Sequence, residues 1–304
     1  MMSSPDATQA LLSVRNLQKS YPVKRRSLFD KPSRNVVLHD INFDVYPNEI
    51  LGLVGESGSG KSTIGRSVLM LPPPTAGSVR FEGREMNGLS RRDLRQARRS
   101  MQIVFQDPYA ALDPRMRIGD FIAEPIDIHE GVRGSERGDR VATLLRKVGL
   151  DPAVGRRYPH EFSGGQRQRI AIARAISLNP RFIVADEPIS ALDVSIQAQI
   201  LNLLMDLRDE TDLSYLFISH DLRVVKYFCD RVAVLRKGRV VELAPADELF
   251  QNARHPYTRR LLSAIPIPDP QQTQLLMKSP IGAVLDDMDA PLREVSPGHL
   301  AAVP

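Results

Sequence analysis

The sequence has no tryptophan and a single cysteine, Cys229. One cysteine cannot close an internal disulfide, which excludes a disulfide-stapled secreted domain and points to a reducing compartment. Cys229, beside Phe228, is expected to be a small buried apolar residue. No apolar run approaches the roughly 18 residues that cross a bilayer. The opening stretch MMSSPDATQALLSVRN carries an acidic residue and lacks a basic region ahead of a long apolar core, so it does not read as a secretory signal. The chain is therefore expected in the cytoplasm, meeting a membrane through partners. No internal repeat is present.

What is there suits an ordinary globular protein. The 304 residues suffice for one substantial core with a small subdomain or extension. Hydrophobic and charged fractions of 42% and 25% exclude disorder throughout. A formal net charge of +5 fits an anionic ligand, an acidic membrane surface or nucleic acid, and does not choose among them.

Along the chain, LLSVRNLQKSY reads as an opening strand, and the basic stretch KRRSLFDKPSRN, with Pro32 and Ser33, as a loop. VVLHDINFDVYPNE alternates as a hairpin would, and EILGLVG is a short continuous apolar run, the mark of a buried strand. KSTIGRSVLML follows with helical spacing. Between about Ser90 and Leu178 the pattern is helical, and RRDLRQARRS sets Arg91, Arg95 and Arg98 on one face, which without interleaved aromatics reads as a solvated face. RFIVADEP and SYLFISHD are buried strands on either side of an amphipathic helix, ALDVSIQAQILNLLMDLRDE. Strands alternating with helices imply an α/β fold with a mainly parallel sheet. After Ala264 the chain turns proline-rich and polar, and its last forty or so residues read as a loosely ordered extension.

The run Gly55, Glu56, Ser57, Gly58, Ser59, Gly60, Lys61, Ser62, Thr63 matches the phosphate loop G-x-x-x-x-G-K-[ST], with an apolar strand before and a helix after. Its glycines let backbone N–H groups turn toward phosphate oxygens, Lys61 supplies a positive charge, and the Ser62 hydroxyl can ligate Mg²⁺. Such a loop needs an acidic partner for the metal. RFIVADE brings Asp186 to the end of a buried strand, and Glu187, next in line, can orient or deprotonate an attacking water. Gln106 and His220 end two further apolar runs, MQIVFQ and SYLFISH, and spacing alone gives them no role. FSGGQRQRIAIARA looks like a second anion-binding helix start, yet it has no lysine.

Together these pieces resemble the ATP-binding cassette (ABC) ATPases, over roughly Leu11 to Ala264. The order of motifs is the family's: phosphate loop, glutamine loop at Gln106, signature SGGQ at Ser163–Gln166, Asp186-Glu187, SALD at Ser190–Asp193, then His220. Phe162 stands where leucine is commonest before the signature. The resemblance implies a phosphate-loop NTPase core, with an antiparallel β subdomain at the N-terminal side and a helical subdomain inserted at about 90–178. On this reading residues 1–265 form the nucleotide-binding domain and 266–304 a C-terminal extension. It implies ATP and Mg²⁺ as ligands, with Tyr21 stacking on adenine, Glu187 as base, and His220 touching the γ-phosphate. Gln106 would sense metal and water, and Ser62, Gln106 and Asp186 would hold the metal. In the family two nucleotide domains meet head to tail. Ser163, Gly164, Gly165 and Gln166 would therefore serve a partner's ATP, with Asp193 as a cross-dimer link, and the partner's own loop would bring the missing lysine.

QIVFQDPYAALDPR and ARHPYTRRLLSAIP narrow the resemblance to ATPases of bacterial oligopeptide, dipeptide and nickel importers. Many relatives carry a cysteine-rich tail that can bind an iron–sulfur cluster. This tail, from Pro266 on, has no cysteine, so no cluster is expected there. The expected protein is a peripheral subunit on the cytoplasmic side of the inner membrane. It would pair with a second ABC ATPase, as homo- or heterodimer, and drive two permease subunits served by an external solute-binding protein. Nickel and glutathione importers are alternatives within the branch. A soluble ABC ATPase acting on DNA or the ribosome is the alternative of another class, although no nucleic-acid partner is expected.

Overall fold

The computed structural model of the chain describes residues 9–23, 33–107, 112–264 and 290–303. Two compact units emerge. The first is built from both ends of the chain, residues 1–88 and 217–304, and the second from the segment between, 89–216. The first unit begins with β1 (Leu12–Pro22), β2 (Arg34–Val45), β3 (Ile50–Val54), α1 (Lys61–Val68), β4 (Ala76–Phe81) and β5 (Arg84–Glu85). The second holds α2 (Arg91–Ala97), β6 (Met101–Val104), α3 (Ile118–Glu130), α4 (Gly134–Lys147), α5 (Gly164–Ala175), β7 (Phe182–Asp186) and α6 (Val194–Thr211). β8 (Ser214–Ile218) carries the chain back. The first unit then closes with α7 (Leu222–Phe228), β9 (Arg231–Arg236), β10 (Arg239–Pro245), α8 (Ala246–Asn252), α9 (Pro256–Ser263), β11 (Arg293–Ser296) and β12 (His299–Ala301).

In the first unit β1 lies between β2 and β4, antiparallel to both, and β5 follows β4. Leu12, Val14 and Leu17 of β1 are buried together with Leu38, Ile41, Phe43 and Val45 of β2. The hairpin expected within VVLHDINFDVYPNE is a single strand whose partner is β1. The reason is the turn that follows: Glu49 accepts the Tyr46 N–H (2.6 Å) and pairs with Arg231 (3.0 Å), and Asp230 accepts the Ile50 N–H (2.8 Å). These bonds send the chain away from β2 into β3, which runs parallel to β9. β3 is buried along its length, which explains its unbroken apolar run. Cys229 packs against it, so closely that a Cβ on Gly52 would sit 2.9 Å from Sγ, and burial pushes the thiol up.

On the far side of β9 the strands turn antiparallel, in the order β10, β12, β11. Here the extension departs from its expected looseness. Residues 293–296 and 299–301 form a hairpin on the edge of β10. Buried His299 and Ala301 give it an anchor that composition across the whole tail averages away. The start of the chain, residues 24–32, where a loop was expected, and the stretch 265–289 lie outside the described residues.

In the second unit β6 and β7 are parallel, in register from Met101↔Phe182 to Val104↔Ala185. α3 packs on α4 and α5, and α5 on α6. Buried Ile118, Phe121, Ile122 and Ile126 of α3 join Leu144 and Leu145 of α4 and Ile170 and Ile172 of α5. Of the expected arginine face, Arg95 is tied to the Ile128 carbonyl (2.7 Å), and burial lowers the pKa of Arg98. Among the described residues no helix is long and apolar enough to cross a membrane.

Candidate nucleotide site

β3 delivers the chain into the phosphate loop at Gly55, whose φ of 150° belongs to the glycine region. A Cβ there would lie 2.1 Å from the Leu235 carbonyl oxygen, so no other residue fits. Gly60, at φ 109°, leads into α1 without a side-chain cap. Lys61 opens the helix with 4% exposure, and its ammonium donates to the carbonyls of Gly55 (2.8 Å) and Glu56 (3.0 Å). These two bonds hold the charge over the loop. The hydroxyl of Ser59 is buried without a hydrogen-bond partner, and Ser62 and Thr63 sit half-buried in the first turn of α1. The Glu56 N–H is taken by the hydroxyl of Tyr257 (3.2 Å), from the run ARHPYTRRLLSAIP.

His220 follows β8 and is exposed; the N–H of Ser219 just before it donates to the Leu53 carbonyl (3.3 Å). That bond places His220 beside the strand end that starts the loop. Tyr21, next to the last residue of β1, has 38% of its surface exposed and the Lys19 ammonium 5.2 Å from its ring centre. An exposed ring at a strand end can stack on a planar ligand.

The second unit brings together the remaining polar strand ends. The parallel register of β6 and β7 sets the residues after Val104 beside those after Ala185. Gln106, two residues past the end of β6, donates from Nε2 to Oε2 of Glu187 (3.0 Å). Asp186 is buried at the end of β7, and Glu187, half-buried, adopts φ 49°, the left-handed region that costs a non-glycine residue about 1 kcal/mol or more. Its carbonyl accepts from the Ser190 hydroxyl (3.1 Å), which braces the strained turn.

Ser163 caps α5 by a reciprocal box. Its hydroxyl accepts the Gln166 N–H (3.4 Å) and its own N–H donates to Gln166 Oε1 (3.1 Å). The helix start is exposed and has no acidic residue in its first turn, so its dipole favours an anion. Gly165 is required by packing as well, since a Cβ there would lie 2.5 Å from Ile196 Cγ2 on α6. Gly165→Ala is expected to destabilise the chain by about 1–3 kcal/mol, the usual cost of overpacking, read as a lowered midpoint in chemical denaturation. Asp193 caps α6 by position alone, making no side-chain cap bond, and is exposed. The phosphate loop, Tyr21 and His220 thus belong to the first unit, whereas Gln106, Ser163–Gln166, Asp186, Glu187 and Asp193 belong to the second.

Comparison with known proteins adds family information to this geometry. A family model described as "ABC transporter" matches residues 38–190, and one described as "Oligopeptide/dipeptide transporter, C-terminal region" matches residues 241–290. The chain is 50% identical over 298 residues to the oligopeptide transport ATP-binding protein OppF of Bacillus subtilis (strain 168), covering 96% of this chain and 95% of that protein. A putative peptide import ATP-binding protein of Brucella ovis is 50% identical over 313 residues, with 96% of each chain covered. The glutathione import ATP-binding protein GsiA of Pectobacterium atrosepticum is 47% identical over 307 residues, covering 98% of this chain and 49% of GsiA. Among solved structures, the ATP-binding cassette MJ0796, a dimer in a post-hydrolysis state bound to ADP and Pi, gives a TM-score of 0.69 at 29% identity, covering 77% of this chain and 98% of that one. cbiO1 from Clostridium perfringens, part of the ABC transporter complex cbiONQ, gives 0.70 at 25% identity, covering 88% and 99%.

Proposed function

The chain belongs to the ABC transporter family as an ATP-binding ATPase, and on that premise we propose that it is the energy-coupling subunit of an importer for peptides. The observation that carries the hydrolytic half of this reading is the Gln106–Glu187 hydrogen bond (3.0 Å), which joins a carboxylate at a strand end to the glutamine loop. Glu187 takes the proton of the attacking water, and Gln106 holds that carboxylate in line. Lys61 and the N–H groups of Gly58–Thr63 hold the phosphates, His220 meets the γ-phosphate, and Tyr21 stacks on adenine. The donors assigned to the metal are the Ser62 hydroxyl, the Gln106 amide and the Asp186 carboxylate. This all-oxygen set suits Mg²⁺, which when bound neutralises charge on the transferring phosphoryl group. Among the described residues no cluster of three or more His, Cys, Asp or Glu could hold a metal by itself.

Ser163, Gly164, Gly165, Gln166 and Asp193 serve the ATP of a second ABC ATPase subunit. Support comes from the exposed, acid-free start of α5 and from the dimeric state of MJ0796. The pair works at the cytoplasmic face of the inner membrane with two permease subunits and an external solute-binding protein. Peptide as cargo follows the names of OppF and the Brucella relative and the match at residues 241–290. Glutathione, as in GsiA, is the second reading.

Purification of the tagged chain from its own membranes in mild detergent tests the assignment. Two multispanning permeases are expected to co-purify, and their binding protein, screened against peptides and glutathione, separates the two cargos. Recovery with ribosomes or DNA alone would overturn the transporter reading. Lys61→Ala is expected to weaken ATP binding by about 10-fold to 100-fold, because it deletes a charge-assisted contact to phosphate. Equilibrium titration with a fluorescent ATP analogue checks this, and an unchanged Kd removes Lys61 from the site.

A further inference from the structure

We propose that Tyr257 is a positioning residue for the phosphate loop, itself set in place by the buried pair Glu242–His299 that β10 and the C-terminal strand β12 bring together. The inference rests on the reading of Gly55–Thr63 as the ATP site and adds a second layer to it.

The line of bonds runs entirely within the first unit. Tyr257 is 4% exposed, and its hydroxyl oxygen accepts the Glu56 N–H (3.2 Å). Burial pushes its phenol pKa up, so the hydroxyl stays protonated at neutral pH. The Arg236 guanidinium lies 5.3 Å from the ring centre and helps fix the ring. Because the Glu56 carbonyl also accepts from Lys61 (3.0 Å), the residue that Tyr257 grips is one of the two that tether the loop's ammonium.

What aims Tyr257 is the start of α9. His255 caps that helix, its Nδ1 accepting the Tyr257 N–H (3.1 Å), so the proton of the neutral ring sits on Nε2, and burial, which lowers its pKa, favours that neutral ring. The position of His255 is set in turn by Glu242. This carboxylate is fully buried and accepts the N–H groups of Arg254 (2.6 Å) and His255 (3.1 Å). Its third partner comes from the end of the chain. His299, also fully buried, places Nε2 at 2.7 Å from Oε1, and its Nδ1 lies 3.5 Å from Glu248. A carboxylate oxygen can only accept, so Nε2 acts as the donor. β12 delivers this ring by pairing with β10 at Glu242↔Ala301 and Leu243↔Leu300. A buried carboxylate stripped of one donor is costly and moves to find another, so the tail fixes Glu242, and Glu242 fixes the loop–helix start that carries Tyr257.

A purely structural part for these residues would lower stability and leave ATP affinity alone. The test therefore reads ATP binding and turnover in the full chain, using a fluorescent ATP analogue, with thermal melting as control. Tyr257→Phe keeps the packed ring and deletes the acceptor. It is expected to raise Kd and KM for ATP by about threefold to tenfold, the fold-change of one hydrogen bond, with kcat within about twofold. His299→Leu is expected to do the same, whereas His299→Gln, which restores an N–H donor, returns both toward wild type. In the double variant Tyr257→Phe, His299→Leu the ATP affinity is expected to be no weaker than in Tyr257→Phe alone, because both act through one hydroxyl. Wild-type Kd and KM in folded Tyr257→Phe, or effects that multiply in the double variant, would overturn the proposal. A wild-type chain that binds no ATP would overturn the ATP-site reading and this inference with it.

Discussion

Glu187→Gln is expected to leave ATP binding intact and to cut hydrolysis by about 100-fold to 10,000-fold, the span that a positioned general base supplies. The substitution is isosteric. An amide oxygen at position 187 can still accept from Gln106 Nε2, now 3.0 Å from the carboxylate, and the brace to the 187 carbonyl from Ser190 does not involve the side chain. The left-handed turn at φ 49° is kept for the same reason. What is lost is the ability to take a proton from water. ATP then binds without being consumed, so the variant is expected to accumulate as a closed dimer with ATP, seen as a shift in size-exclusion chromatography that ADP does not produce. Turnover near wild type would remove Glu187 as the base.

The residues of that prediction were legible in the sequence because each lies within a few positions of a strongly patterned element. RFIVADE announces a buried strand ending in acids, and the structure buries Phe182–Asp186 throughout. GESGSGKST needs its glycines, and Gly55 shows why at the Leu235 carbonyl. The pairing of Gln106 with Glu187 was not legible, since strands 81 residues apart must first line up in parallel register. Other features gave no local signal at all. VVLHDINFDVYPNE alternates as either arm of a hairpin would, and its outcome was decided by Asp230 and Arg231, 180 and 182 positions downstream of the residues they hold. The bonds of Tyr257 and His299 were invisible for the same reason. The run ARHPYTRRLLSAIP supplies the start of α9, but the acceptor role of its tyrosine hydroxyl depends on Glu56, 201 residues away. His299 sits after a long polar, proline-rich stretch, and a three-residue strand is too short to show a period.

Ser163→Arg carries the second large effect and bears on the loop without a lysine. The substitution breaks the reciprocal cap with Gln166, a cost of about 1 kcal/mol, and sets a bulky cation on a helix start whose dipole favours an anion. Hydrolysis is expected to fall by about 100-fold or more, as when a preorganised donor to a developing charge is lost. ATP affinity is expected to stay within about twofold of wild type, because Lys61 and the N–H groups that cradle phosphate remain untouched. This split between binding and turnover is what a loop serving a partner's nucleotide requires. A loop serving its own chain's ATP would lose both together, and a collapse of ATP affinity would sink the head-to-tail reading. Mixing supplies the sharper form of the test. In a dimer of Ser163→Arg with Glu187→Gln, one site receives both substitutions, the first from one chain and the second from its partner, and is inert. The other joins an intact Glu187 from one chain to an intact Ser163 from its partner. Two inactive preparations of a self-pairing chain therefore regain hydrolysis when combined, whereas two sites each complete within one chain would stay silent.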